Sequence, residues 1–326
     1  MLSPEERAAR AAWRLGPVLS TALPVTGTVN RTVLVQTAAG GAYALRAYRR
    51  TERVRVQWEH TAIGWAAARK VPVCCPLPLP DGETIWEQDG RLFALFPLAP
   101  GRQLGRADLR DEEVAAAGRC LARIHLAFAD FPRAQAWHKP FVFDTAGTLE
   151  ILARVQAAVT ARAPQTDADR AALRHLEGRR QCLLGAAALD RSLQSRFAAL
   201  PHQVAHGDFQ ETNLFFGGGE VSAVIDWDQC GVAPRAWEVL RALHLMLDLA
   251  PDPCRIFLDA YRGLCQTPRT ELEEGAACYG ALADQNLWVY SALYLEGNER
   301  VRPFLTPGGF VPFETKWRDT LGLQDV

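Results

Sequence analysis

Several common signatures are missing from this 326-residue chain, and each absence removes a class of answer. The eight cysteines are scattered at positions 74, 75, 120, 182, 230, 254, 265 and 278. None forms a C-x-x-C pair or a Cys/His cluster with zinc spacing, which argues against both a zinc site and a disulfide framework. No window approaches the ~18 consecutive apolar residues that a spanning helix needs. The first residues, Ser3-Pro4-Glu5-Glu6-Arg7, open an acidic-then-basic helix with no apolar segment, so no ordinary secretory signal is expected. A net charge of −1 supplies no basic field for nucleic acid or an anionic membrane surface. There is no G-x-G-x-x-G, no Walker A sequence, no internal repeat and no low-complexity tract. A reduced, cytoplasmic, soluble protein follows. Hydrophobic content of 48% and charged content of 22% are ordinary for a globular chain, and the length suits two domains or one large one.

The elements present change character along the chain. Ser3 caps a helix running to about Leu15, with Pro4 at its first position. The runs 32–36 and 42–48 are β-rich and separated by Ala39-Gly40-Gly41, a hairpin signal. A helix is expected over 53–68, and the prolines at 72, 76 and 78 forbid one just beyond it. Two further strands, 84–87 and 91–96, are joined by Asp89-Gly90. Arg46, Arg49, Arg50, Arg53 and Arg55 fall in one amphipathic stretch and read as a solvated helix face. Past Pro97-Leu98-Ala99-Pro100-Gly101 the pattern is mostly helical. Val114, Ala117, Leu121, Ile124 and Phe128 mark one buried helix face, and an Ala/Leu/Arg-rich region from 149 to 200 breaks near Pro164. The expected class is α+β and bilobal, with a β-rich lobe over 1–98 and a mainly helical lobe over 99–326.

Inside the helical part lies His206-Gly207-Asp208-Phe209-Gln210-Glu211-Thr212-Asn213, followed by Val224-Ile225-Asp226-Trp227-Asp228. Two short apolar runs bracket the polar turn, and each delivers an acid at its end. Asn213 stands five residues after Asp208, and Asp226 thirteen after Asn213, a spacing that fits strand, turn and return strand converging on one point. An Asp, an Asn and a second Asp offer hard oxygen atoms, which suit Mg²⁺ shared with phosphate. The first gap matches the Asp-to-Asn spacing of a kinase catalytic loop. Either segment alone reads as a polar turn or a strand end; together they point to phosphoryl transfer from a nucleotide. Asp208 is the expected base or hydroxyl-orienting group, and Asn213 and Asp226 are the expected Mg²⁺ ligands. His206 is expected to brace the loop through the backbone near Asp226. Asp228 is open between a second metal, a cationic substrate and a helix cap.

This constellation resembles the aminoglycoside phosphotransferase and choline kinase family, homoserine-kinase-like members included, the small-molecule branch of the protein-kinase-like fold. Its signature, H-G-D-x-x-x-x-N followed by I-D-[WF]-[DE], is reproduced by 206–213 and 225–228, and Ala122-Arg123-Ile124-His125 is similar to the helix before the family's catalytic region. The resemblance implies ATP, or GTP, as phosphoryl donor and a small-molecule hydroxyl as acceptor. It also implies that Arg46 stands where members carry a phosphate-binding lysine, with Glu59 pairing to it. Pro97 and Ala99 would meet adenine through a carbonyl and an N–H, and the degenerate 26–30 stretch would cover the phosphates. A protein Ser/Thr kinase of the same superfamily and a non-catalytic nucleotide-binding scaffold are the alternatives. From Asp226 the chain runs through Pro234 straight toward a helix near Arg235, leaving little platform for a peptide, and so favours a small acceptor. An acceptor pocket is sketched by Trp227, Asp228, Gln285, Trp288, Tyr290 and Glu296, whose acids and aromatics would suit an amine or quaternary ammonium, while the Trp and Tyr residues also read as helix packing. Oligomeric state is not readable.

Overall fold

Strand pairing and helix docking in the computed structural model are described for residues 2–24, 30–306 and 308–321. Contacts divide the chain into two compact units. The first comprises residues up to Lys139 together with His202–Ala233 and Ile256–Gln266, so the Pro97–Gly101 segment expected as the boundary lies inside it. The second comprises Pro140–Pro201, Pro234–Arg255 and residues from Thr267 on.

In the first unit, α1 (Pro4–Ala12) starts at a reciprocal cap: Glu6 N–H donates to Ser3 Oγ, and Ser3 N–H to the Glu6 carboxylate. Strands β1 (Val18–Ala22), β2 (Arg31–Thr37) and β3 (Ala42–Ala47) follow. Then come α2 (Arg53–Ala68), β4 (Trp86–Gln88), β5 (Arg91–Pro97) and α3 (Asp111–Ala127). The strands form one antiparallel sheet in the order β1-β2-β3-β5-β4. Period-two alternation explains how β5 is apolar from Leu92 on: Phe93 and Leu95 pack with Ala9 and Trp13, while Leu92 and Ala94 pack with Val56 and Ile85. Asp89 and Gly90 both take positive φ, 51° and 73°, as the tight β4–β5 hairpin demands. β1 lay outside the expected strands because it is an exposed edge with no buried side to pattern its sequence.

Four short strands complete this unit: β6 (His202–Ala205), β7 (Leu214–Gly217), β8 (Glu220–Val224) and β9 (Gly231–Pro234). β7 and β8 form an antiparallel hairpin, and β9 pairs with β6. β9 corrects the expectation that the chain runs unbroken from Asp226 into the next helix. The predicted face of α3, from Val114 to Phe128, is buried, and its Gly118 allows close approach to the Phe257 carbonyl, which a Cβ would meet at 2.4 Å.

The second unit is helical: α4 (Thr145–Thr160), α5 (Asp167–Leu184), α6 (Asp190–Ala199) and α7 (Arg235–Leu247). It continues with α8 (Pro251–Arg262, whose later part belongs to the first unit), α9 (Arg269–Gln285), α10 (Trp288–Tyr294) and α11 (Phe313–Leu321). Leu152, Val155, Val159, Leu176, Leu183 and Tyr290 pack together in one of its apolar clusters. Among the described residues no helix is long and apolar enough to cross a membrane, and all eight cysteines are free thiols.

Candidate active site

The two halves of the sequence motif meet through one histidine. β6 ends at Ala205, and His206 is fully buried, its ring edge-on to Trp227 at 4.6 Å. Asp208 N–H donates to His206 Nδ1 at 3.2 Å, so Nε2 carries the proton and donates to the Ile225 carbonyl at 3.0 Å. A neutral imidazole thus braces the loop at Asp208 against the residue before Asp226. Gly207 has φ +83°, and a Cβ there would stand 2.2 Å from the Gln229 carbonyl oxygen, so glycine is required by conformation and by space. Phe209 is buried beneath the loop.

Residues Glu211–Asn213 close the loop as a single 3₁₀ turn. Asn213 then does three things: its carbonyl accepts from Ile225 N–H at 3.0 Å, and its Nδ2 donates to the Asp208 carbonyl at 2.8 Å and to Asp208 Oδ2 at 2.9 Å. Asp208, Asn213 and Asp226 are thereby brought together by direct bonds between their own segments. Asp226 takes φ 62° and ψ 61°, a left-handed conformation that costs an L-residue about 1–2 kcal/mol.

Arg46, on β3, reaches this acid. Its Nη2 donates to Asp226 Oδ1 at 2.7 Å and its Nη1 to Glu59 Oε1 at 3.2 Å, and Glu59 is buried on α2. The fork lets one cation serve two carboxylates on different elements. Burial opposes the charge on Arg46, but the Glu59, Asp226 and Asp228 carboxylates overcome it and hold its pKa well above the usual guanidinium value. Glu59 moves the other way from a typical paired acid. Burial, reinforced by Asp228 and Asp226, outweighs Arg46 and pushes its carboxyl up to about 7, and its Oε2 is buried without a hydrogen bond. Behind Arg46 lies Tyr48, its ring 5.0 Å below the guanidinium and its hydroxyl 3.1 Å from His60. Burial pulls His60 down to about 4, so that ring is neutral.

The reading of the arginine cluster as a solvated face is corrected. Arg46, Arg50 and Arg55 turn inward toward Asp228, because a buried acid has to be compensated. Asp228 is 7% exposed; Oδ2 lies 3.7 Å from Arg46 and 3.5 Å from Arg50 and accepts from Asn30 Nδ2 at 3.3 Å. Its carbonyl accepts from Arg50 at 3.3 Å and Arg55 at 3.2 Å. Asp228 thus gathers donors from before and within α2. No sequence signal marks this, since the partners stand about 175 positions apart. Trp58 Nε1 adds a bond from α2 to the Cys230 carbonyl at 2.8 Å, fixing Glu59 relative to the turn.

Amide and carboxylate oxygens make up the donor set at Asn213 and Asp226. Among the described residues no three His, Cys, Asp or Glu side chains assemble into a preformed metal cage. That chemistry fits Mg²⁺, which keeps waters and shares phosphate oxygens rather than filling an all-protein shell. Pro97 ends β5 opposite Tyr43 of β3, and Pro97 and Ala99 are partly exposed at the start of the segment leading to α3. Residues 25–29 lie outside the described residues, and with them all of the 26–30 stretch except Asn30. Of the sketched acceptor residues, Trp227 is buried under His206. In the second unit, Tyr290 is buried and its hydroxyl meets His175 at 2.8 Å, while Gln285 bonds Thr145 at 3.0 Å and accepts from Asp144 N–H at 3.1 Å. Packing accounts for those three, while Trp288 is 49% exposed. A hollow of about 550 Å³ beside α2 is lined by Gln57, His60, Gly64, Cys75 and Thr84 among others, and by none of the motif residues.

The chain is similar to known proteins both in sequence and in fold. The model of the APH phosphotransferase enzyme family matches residues 21–274. An uncharacterised protein of Synechocystis sp. is 27% identical over 238 residues, 70% of this chain and 60% of its own length. The homoserine kinase of Chelativorans sp. is 30% identical over 231 residues, 66% of this chain. The chain spans 60% of the length of both. An aminoglycoside phosphotransferase from Alicyclobacillus acidocaldarius superposes with a TM-score of 0.66 at 13% identity, covering 99% of this chain and 94% of that one. A spectinomycin phosphotransferase, solved with ADP and spectinomycin, gives 0.64 at 13% identity, covering 98% and 93%. The fold is accordingly that of the protein-kinase-like phosphotransferases, a β-sheet amino-terminal region followed by a mostly helical remainder. With a family model matched over most of its length and both motif halves locked together by His206 and Asn213, the chain belongs to the APH family of phosphotransferase enzymes.

Proposed function

We propose that this protein transfers the γ-phosphoryl group of ATP, with Mg²⁺, to a hydroxyl of a small molecule such as an amino alcohol or aminosugar. The observation that carries the reading is the bonded set Asp208–Asn213–Asp226–Arg46, in which the candidate base and the candidate metal ligands are held by one another's backbone and side chains. Asp208 accepts the hydrogen bond of the acceptor hydroxyl and orients its oxygen toward the γ-phosphorus. The new O–P bond forms as the bond to the β-phosphate oxygen breaks, ADP departs, and the hydroxyl proton leaves by way of Asp208. Such transfer is loose, so positioning and charge neutralisation matter more than a strong base. Asn213 and Asp226 would hold Mg²⁺, which supplies neutralisation of the phosphate charge when bound. Arg46 would donate to phosphate oxygens through N–H groups left over from its bonds to Glu59 and Asp226. The Pro97 carbonyl and Ala99 N–H would meet adenine.

A small acceptor is favoured over a peptide because β9 begins five residues after Asp226 and is already paired with β6. Homoserine, already open from the resemblance, is also the substrate for which the kinase relatives are named. The test is ADP release with Mg²⁺ and ATP across homoserine, choline, ethanolamine and aminosugars, repeated with Asp208→Ala and Asp226→Ala. One acceptor should stimulate release, and loss of Asp208 should cost about 10²–10⁴-fold. Retained nucleotide binding with no stimulated turnover for any acceptor would leave the scaffold alternative standing instead.

A further inference from the structure

Gln210 lies two residues beyond Asp208, at the start of the turn that ends in Asn213, with an extended backbone (φ −157°, ψ 166°). Extended chain returns side chains to the same face every second residue, which brings positions 208 and 210 together. Its Nε2 stands 3.3 Å from Oδ1 and 3.3 Å from Oδ2 of Asp208. Asn213 meanwhile holds Oδ2 at 2.9 Å. The carboxylate is therefore pinned on one oxygen by a short bond and straddled across both by an amide. That straddling position, shared between the two oxygens, is also one that a hydroxyl donor takes on a carboxylate.

On the phosphotransferase reading, we propose that Gln210 is a positioning residue that fixes the plane of the Asp208 carboxylate and covers the acceptor's seat until the acceptor hydroxyl displaces its amide from one of the two oxygens while it stays on the other. An amide N–H in that seat keeps water from being oriented by Asp208 toward the phosphoryl group. The exchange conserves hydrogen bonds: Asp208 loses one from Gln210 and gains one from the acceptor, so an alcohol held by its own binding contacts succeeds where a free water does not. The contact thus bears on the choice between transfer and wasteful hydrolysis.

Gln210→Met, similar in length but without a donor, tests this beside Gln210→Glu, which places a second carboxylate against Asp208. Both should lower kcat for transfer on the order of tenfold, as expected for a misoriented reacting group. Both should leave KM for ATP within about twofold and raise the ratio of acceptor-independent hydrolysis to transfer by ~3-fold or more, taking the hydrolytic competitor to be gated by the same positioning. An unchanged ratio in both variants would overturn the proposal. The contact is also read without turnover, from the ¹⁵N–¹H signals of the Gln210 side-chain amide. These should move in Asp208→Asn, and signals that stay put would remove the contact and the proposal with it. A parent that transfers to no acceptor while its amide signals respond to Asp208→Asn would count against the phosphotransferase reading and not against the contact.

Discussion

Replacing Gly207 by alanine tests whether the two halves of the site are held as described. The new Cβ would lie 2.2 Å from the Gln229 carbonyl oxygen and 2.8 Å from its carbon, where ordinary contact begins at 3.4 Å. The loop at 206–208 and the turn at 226–229 must then separate by roughly 1 Å, a displacement that can cost ~10²-fold in rate when it moves a reacting group. Separation stretches the His206–Ile225 bond, worth about 1 kcal/mol, and alanine at φ +83° adds about 1–2 kcal/mol. With the residual overlap, destabilisation on the order of 3 kcal/mol is expected. Gly218→Ala is the control: φ is +63° there, but a Cβ would meet nothing within 4 Å, so only the conformational part applies. ADP release and urea unfolding of parent and both variants decide the matter. If Gly207→Ala matched Gly218→Ala in both assays, the close approach of the two loops would be refuted.

Three further outcomes follow from the same geometry. Arg46→Ala leaves Glu59 buried without its cation and should cost about 3–5 kcal/mol in urea unfolding, with Glu59→Gln in the same chain restoring much of it; no recovery in the double variant would contradict the pairing. Burial raises Glu59 from 4.5 to about 7, so the folded state binds the extra proton between those values, and this carboxyl's contribution is full below pH 4.5 and lost as the pH rises to 7. The difference of 2.5 pH units corresponds to on the order of 3 kcal/mol, which should vanish from the pH-stability profile in Glu59→Gln while the separate effects of His60 and Asp284 remain. Alkylation of the native protein, mapped by mass spectrometry, should mark Cys75, the exposed thiol, before Cys120 or Cys254, which burial pushes up to about 12; early labelling of Cys120 would show that α3 opens.

What was legible in the sequence depended on whether the signal was local. The helix expected at about 53–68 is α2, with the prolines from 72 on closing off its far side, and Asp89-Gly90 announced its hairpin through its own backbone preference. The spacing of Asp208, Asn213 and Asp226 announced their convergence because β7 and β8 are short and adjacent. β9 did not show, since four residues paired to a distant strand leave no periodicity to read. The inward turn of Arg50 and Arg55 was equally hidden: their amphipathic spacing says which face they share, but not that a buried acid far along the chain waits for them. Gln210 looked like a filler between two motif letters, and only its distances to Asp208 set it apart.

The tethering of the turn after Asp226 has a consequence for control. Trp58 clamps the Cys230 carbonyl, and β9 starts at the next residue, so the stretch that follows the acid is stapled at once to α2 and to a strand. A kinase with a long, loose segment there can be switched by adding a charge to it. Here there is no slack to rearrange and no hydroxyl between Asp226 and Pro234 to modify. A latch of that kind has no place at this turn.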